Sequence, residues 1–393
     1  MHQQGSFLIL NGEVCVEDLV YWIWLGQIAE AGQIKTDEIL NGQCESPRAL
    51  FERFNSDMVP EGVLKRRQKL PPRNLGAAQE ILQGCLRVGC EIITYKDVQY
   101  PERLRQISAA PPVLYAKGNL DLLFELEYNG AVCVVGSRAC TEYGVCVTRE
   151  LVAGLVDAGV ITVSGFALGI DTVVHEETLA AGGKTIAVLG CGVEIDYPRG
   201  NRDLRQRMLE NSSLFLSEHP PFAKATKFNF PSRNRILSGL SDGVLVTQAG
   251  LKSGSLITAN WCSQQGRDVF SVPHNLGNLN TVGCNLLIRD GAVVVTEVND
   301  ILAVLRSKYS SIKLAMSAAR QPNLAEKHKT PMIDIAGLSV VAQKVFACLR
   351  DVPKPLDILV AELGIGPGEL LAGITELELC GAIHVQPGAL YGL

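Results

Sequence analysis

Between Asn229 and Asn260 the chain reads NFPSRNRILSGLSDGVLVTQAGLKSGSLITAN. Arg233 and Arg235 flank Asn234, the apolar run Val244 to Thr247 reads as a strand, and Ser253-Gly254-Ser255 opens the helix after it. A guanidinium offers phosphate a planar fork of donors, and the unpaired N–H groups of a helix start favour anions. The same stretch sets no nucleophile beside a base and gathers no metal ligands. This is equipment for holding phosphate, not for breaking bonds.

Other segments carry similar residues where an apolar run gives way to a helix: VGSR (Val135–Arg138), SGFALGID (Ser164–Asp171), LGCGVEIDYP (Leu189–Pro198), SEHPP (Ser217–Pro221) and SVPH (Ser271–His274). Gly136, Ser137 and Arg138 fall in the first of these, Ser164 and Gly165 in the second. Each has a plainer reading as well. Glycine-rich turns are general in such folds, Asp171 can cap a helix, His175 reads as a packed or surface histidine, and Asp196-Tyr197-Pro198 reads as turn scaffolding. Arg233 and Arg235 either grip phosphate or pair with Glu218 or Asp242. Lys227, Phe228 and Phe230 set aromatic rings beside a cation, a combination that stacks on unpaired bases; Phe230 serves equally well as core.

The elements that must position these loops follow from hydrophobic periodicity. Apolar runs at Ala131–Val135, Val160–Ser164, Thr185–Leu189, Leu214–Ser217, Val244–Thr247, Asp268–Val272 and Ala292–Thr296 alternate with amphipathic stretches. Strands this uniformly apolar are covered on both faces, so the expected fold is α/β, doubly wound around a mainly parallel sheet. Ligands in such a sheet bind outside the carboxyl ends of the strands, where all the loops above lie. Before it, residues 1–88 read as a helical domain, with helices predicted over Asp18–Ala31, Ser46 onward and Asn74–Arg87. A strand over Ile92–Tyr95, a loop with Tyr100-Pro101 and the proline-rich AAPPVLYAKGN open the α/β domain at 89–306. Residues 307–335 are rich in Ser, Lys, Ala and Gln and read as a linker. Residues 336–393 read as three helices and a two-stranded hairpin, a winged helix.

With 393 residues and a formal charge of -5, the chain is too long for one domain and is no general polycation. Any nucleic-acid site must be a local basic surface. Eight Lys or Arg against three acids between Arg199 and Arg235 form one such cluster, and Lys65–Arg73 another. The winged-helix tail differs: from Ala336 onward it has three basic residues against six acids, and its third helix carries Glu369, Glu376 and Glu378. That charge fits protein contact or a structural role better than a DNA groove. The twelve cysteines are scattered through apolar runs without a CxxC pair, so buried thiols in a reducing compartment are expected rather than zinc. No signal peptide or membrane-length apolar run is read, which suggests the cytoplasm.

Taken in order, Tyr100-Pro101, PPVLYAKG, VGSR, SGFALGID with His175, AVLGCGVEIDYP, LSEHPP, FPSRNRILSGLSDG, SGSLITAN, GRDVFSVP and GCNLLIRDGA closely resemble the bacterial DNA-processing protein A family (DprA, also called Smf). The match is continuous from about Ile92 to Leu302 and looser in the flanking parts; the N-terminal helices are similar to SAM-like or helix-hairpin-helix domains. The resemblance implies a Rossmann-like domain that binds single-stranded DNA and forms a homodimer. It further implies protection of incoming DNA and loading of the recombinase RecA in natural transformation and homologous recombination, without catalytic residue, metal or cofactor. By motif it carries DNA contacts onto Arg138, Ser164-Gly165, Lys227, Phe230, Arg233, Arg235 and Ser253-Gly254-Ser255; Gly136, Ser137 and Asn234 belong to the same motifs. Gln248, His274 and Val174 stand where the family usually has Glu, Gly and Ala. The first change removes a carboxylate from the crevice and is expected to alter what Arg233 meets; the second is expected to alter its loop.

Two enzyme classes share this kind of sheet. A nucleotide phosphoribohydrolase needs a PGGxGTxxE loop, whereas this chain has QAGLKSGSLIT without that Glu. A nicotinamide-dependent dehydrogenase needs GxGxxG after the first strand, and VGSRACTEYG lacks it.

Overall fold

The computed structural model describes residues 16–28, 36, 46–53, 74–309, 312, 338–349, 354–380, 382–386 and 390–392. The basic cluster Lys65–Arg73 and all of 313–335 lie outside them. The chain divides into two compact units, Met1–Ala315 and Met316–Leu393.

The first unit begins with helices α1 (Val16–Ile28), α2 (Pro47–Arg53) and α3 (Gly76–Val88), followed by β1 (Glu91–Thr94), α4 (Glu102–Arg105), β2 (Val113–Gly118) and α5 (Asp121–Asn129). The doubly wound part follows: β3 (Ala131–Gly136), α6 (Glu142–Asp157), β4 (Ile161–Ser164), α7 (Ile170–Ala180), β5 (Thr185–Val188), α8 (Arg202–Glu210) and β6 (Leu214–Ser217). It continues through α9 (Asn229–Gly239), β7 (Gly243–Gln248), α10 (Gly254–Gln264), β8 (Asp268–Ser271), α11 (Val282–Arg289), β9 (Val293–Val294) and α12 (Val298–Arg306).

The nine strands form one sheet in the order β1-β2-β6-β5-β4-β3-β7-β8-β9. From β6 to β9 all pairings are parallel, while β2 pairs antiparallel with both β1 and β6. The double covering is visible along a single strand. In β3, Val132 and Val134 enter one apolar cluster with Val152 and Leu155, whereas Cys133 and Val135 enter another with Ile236 and Leu240. An alternating backbone between two buried layers requires apolar residues at every position, hence AVCVVG.

The N-terminal helices are not set apart from this core. Trp22 and Trp24 of α1, Leu50 of α2 and Leu82 of α3 share a cluster with Tyr115, Leu189 and Phe215 from the sheet region. Two expectations change. The proline-rich segment AAPPVLYAKGN, for which no strand is predicted, contains β2; its prolines precede the first paired residue, where no ladder hydrogen bond is lost. The strand expected over Ala292–Thr296 contracts to Val293–Val294 at the outer edge of the sheet.

In the second unit, α13 (Val340–Cys348), β10 (Lys354–Pro355), α14 (Leu356–Leu363), α15 (Pro367–Leu379), β11 (His384–Gln386) and β12 (Leu390–Gly392) form a winged helix. Its antiparallel sheet runs β10-β12-β11, and Ala342, Val345, Leu359, Leu370 and Ile374 build its core. Among the described residues no single helix is long and apolar enough to cross a membrane.

Gly118 closes β2 with φ +117°, and a Cβ there would stand 2.2 Å from the Ser213 carbonyl oxygen. Replacing Gly118 by Ala is expected to destabilise the first unit by about 1–3 kcal/mol through backbone strain, with the clash adding to it. Urea unfolding followed by tryptophan fluorescence measures this directly, since Trp22, Trp24 and Trp261 all belong to that unit.

Candidate nucleic-acid interface

Strand order reverses where β3 lies between β4 and β7, and the loops leaving the strands there are gathered at their carboxyl ends. The backbone is drawn tight at this point. Ser137 N donates to Gln248 O at 2.8 Å and Ile170 N to Ser137 O at 3.1 Å. Gly169, at φ +83°, passes so near that a Cβ would lie 2.4 Å from the Ser137 carbonyl oxygen. Only glycine suits both that conformation and that approach. Gly136 is also closely packed, since a Cβ on it would meet Ile170 at 2.6 Å.

The two arginines most suited to phosphate by sequence turn inward. Arg233, 4 % exposed, donates through Nη1 to Gly165 O at 2.8 Å and to Val188 O, and through Nε to Asn234 Oδ1 at 3.2 Å. Asn234 Nδ2 in turn donates to Gly254 O at 3.2 Å. One side chain thus ties the exits of β4 and β5 to α9, and its neighbour ties α9 to the start of α10. A Cβ on Gly165 would stand 2.7 Å from both Arg233 Nη2 and Asp171 Oδ2, so these opposite charges sit beneath a bare stretch of backbone. Burial raises the Asp171 carboxyl above its ordinary range against the pull of Arg233, and burial lowers the Arg233 guanidinium.

Arg235 is engaged more completely. It grips Glu218 with two bonds, Nη1 to Oε1 at 2.7 Å and Nη2 to Oε2 at 2.6 Å, the side chains 3 % and 7 % exposed. Nε donates to Ala109 O at 2.8 Å and Nη1 to Ser232 O at 3.0 Å. Burial alone would raise the Glu218 carboxyl; the charge and hydrogen bonds of Arg235 outweigh it and hold the group below the usual carboxylate range. Of the two sequence readings for Arg235, pairing is the one the geometry contains. Asp242 is taken instead by Arg103, at 3.0 Å.

Two of the exposed cations at this edge are each set on a ring. The Arg138 guanidinium carbon lies 5.6 Å from the centroid of Phe230, and Lys227 Nζ lies 5.2 Å from that of Phe228. Phe230 is half-buried and meets Tyr197 at 5.5 Å between ring centroids. Tyr197 was read from sequence as turn scaffolding; an aromatic in a strand-exit loop was the available sign that it does more. After β7, Ser253 caps α10, its Oγ 2.7 Å from Ser255 Oγ, and Gly254 has open space where a side chain would be. Lys252 beside it is exposed. Ser164 is brought to the same edge, but its hydroxyl is spent inside on Val134 O at 2.7 Å.

The remaining candidates are structural. His175 is fully buried with Nδ1 2.8 Å from Thr185 Oγ1, and burial lowers its pKa to about 3, so it stays neutral. Gln248 is engaged away from Arg233. Its Oε1 accepts from Thr141 N at 3.0 Å and Thr141 Oγ1 at 3.1 Å, drawn to the donors at the start of α6. His274 is held by Thr247 O at 2.8 Å and by the Asn285 side chain, which keeps its loop in place. Among the described residues, no three His, Cys, Asp or Glu side chains gather as a metal ion would require.

Residues 91–306 match the family described as DNA recombination-mediator protein A, and residues 330–389 match the DprA winged helix domain. The chain belongs to the DNA recombination-mediator protein A family. It is 32 % identical over 396 residues to Protein Smf of Synechocystis, covering 94 % of this chain and 98 % of that one. It is 39 % identical over 283 residues to the DNA processing protein DprA of Streptococcus pneumoniae, covering 70 % and 91 %. The X-ray structure of DprA from Streptococcus pneumoniae superimposes with a TM-score of 0.53 at 34 % identity, over 72 % of this chain and 92 % of that one.

Replacing Glu218 by Gln strands the Arg235 charge in the interior and is expected to cost about 3–5 kcal/mol at neutral pH. Because the folded carboxyl titrates below its ordinary value of 4.5, its contribution is complete above that value and lost as pH falls through the folded one. Denaturant midpoints measured from pH 7 down to pH 3 should therefore converge for the parent and the Glu218→Gln variant.

Proposed function

We propose that this protein binds single-stranded DNA along the rim where its parallel strands hand over to helices, and acts there as a recombination mediator. Arg138 and Lys227 meet phosphate, with Phe230 and the Ser253-Gly254-Ser255 turn beside them. Gly136, Ser137, Ser164 and Gly165 shape the backbone, while Arg233, Asn234 and Arg235 hold the loops from beneath. The observation that carries this reading is that two exposed cations at this edge each stand beside an aromatic ring, 5.6 Å for Arg138 and 5.2 Å for Lys227. Charge beside ring serves a strand whose bases are unstacked; a duplex presents only its phosphates.

Membership of the family adds the rest of the reading. The protein protects incoming DNA in the cytoplasm, delivers it to the recombinase RecA, works as a homodimer through the Rossmann-like domain and catalyses no reaction. The division at residues 88, 306 and 335 belongs to the same proposal, as does a protein-contacting or structural role for the acidic winged helix. A phosphoribohydrolase activity has no support at the exit of β7, where Gln248 to Ser255 contain no carboxylate.

Fluorescence anisotropy with a labelled oligothymidine tests the rim. Arg138→Ala and Lys227→Ala should each cost about 1.5–3 kcal/mol of binding. Each should also lower the slope of log K against log salt by about 0.7, the share of one phosphate in a single strand. Duplex of equal length should bind more weakly. Equal affinity for duplex, or unchanged slopes in both variants, would overturn the reading.

A further inference from the structure

Phe230 is the ring that sequence singles out, yet it is the least available of the three on this rim. Arg138 lies over it at 5.6 Å and Tyr197 packs against it at 5.5 Å with the planes 38° apart. The backbone of Gly190 presses on it so closely that a Cβ there would stand 2.8 Å from Phe230 Cδ1. The exposed ring surface belongs to its neighbours. Phe228 is 74 % exposed beneath the Lys227 ammonium, and Tyr197 is 39 % exposed in the loop that follows β5. Single exposed apolar side chains are ordinary on protein surfaces. Two exposed rings at the carboxyl edge of one sheet, one under a cation and one joined to a cation through a shared ring, are a different arrangement.

We propose that Tyr197 and Phe228 are the two surfaces on which bases stack, and that Phe230 is the keystone that orients Tyr197 and Arg138. This rests on the single-strand reading above and names the residues that read bases rather than phosphates. Stacking on a ring is indifferent to sequence because every base has a face. Phosphates track Arg138 and Lys227 while bases settle on Tyr197 and Phe228.

The test compares an oligothymidine with an abasic strand of the same length and charge. Tyr197→Ala and Phe228→Ala should each weaken binding to the base-bearing strand about 5- to 150-fold, the range for one stacked base. Both should bind the abasic strand as the parent does and keep the parent's salt slope. Tyr197→Trp and Phe228→Trp should retain affinity, and the added indole should be quenched by the oligothymidine alone. Equal losses on both strands would mean that the substitutions merely disturb the rim, and would overturn the proposal. So would unchanged affinity in both alanine variants while the parent binds. A parent that ignores single strands altogether would sink the underlying reading and this proposal with it.

Discussion

A guanidinium buried among carbonyl oxygens is the constraint on which the rim depends. Arg233 reaches the last carbonyl of β5 and the residue after β4, and so ties the ends of two neighbouring strands together. Its charge cannot be left without acceptors at that depth, so the carbonyls must stay turned toward it. Asn234 carries the same constraint to the first turn of α10. Arg235 does the corresponding work on the other side, clamping Glu218 after β6 and the Ala109 carbonyl before β2. The motif fixes the ends of four strands from a single helix.

That arrangement divides the labour of positive charge. Inner cations are spent on the fold, where Coulombic forces are strong and water is absent. Outer cations, Arg138 and Lys227, rest on rings and keep their donors for a ligand. On a molecule of net charge -5, this sets local attraction for a polyanion at that edge.

Much of this was legible in the sequence, and the failures have physical reasons. Strands buried on both faces announce themselves because every position must be apolar, as in β3 and β7. Strand β2 was concealed by the two prolines at its head. The position of the candidate rim follows from where apolar runs end. The direction each arginine faces did not, because it is decided by acceptors remote in the chain: Gly165 is 68 residues from Arg233 and Ala109 is 126 from Arg235. Tyr197 was hidden for a related reason, since its meaning depends on a ring contributed by a later helix.

The two borders of the sheet have unlike fates. On one side the antiparallel pair of β1 and β2 seals the parallel array with four-residue ladders. On the other, β9 offers only Val293 and Val294. So short a margin gives a foreign β-segment almost nothing to zip onto. Copies of this domain are thereby discouraged from growing into a continuous ribbon, and any association on that flank has to come from interlocking side chains.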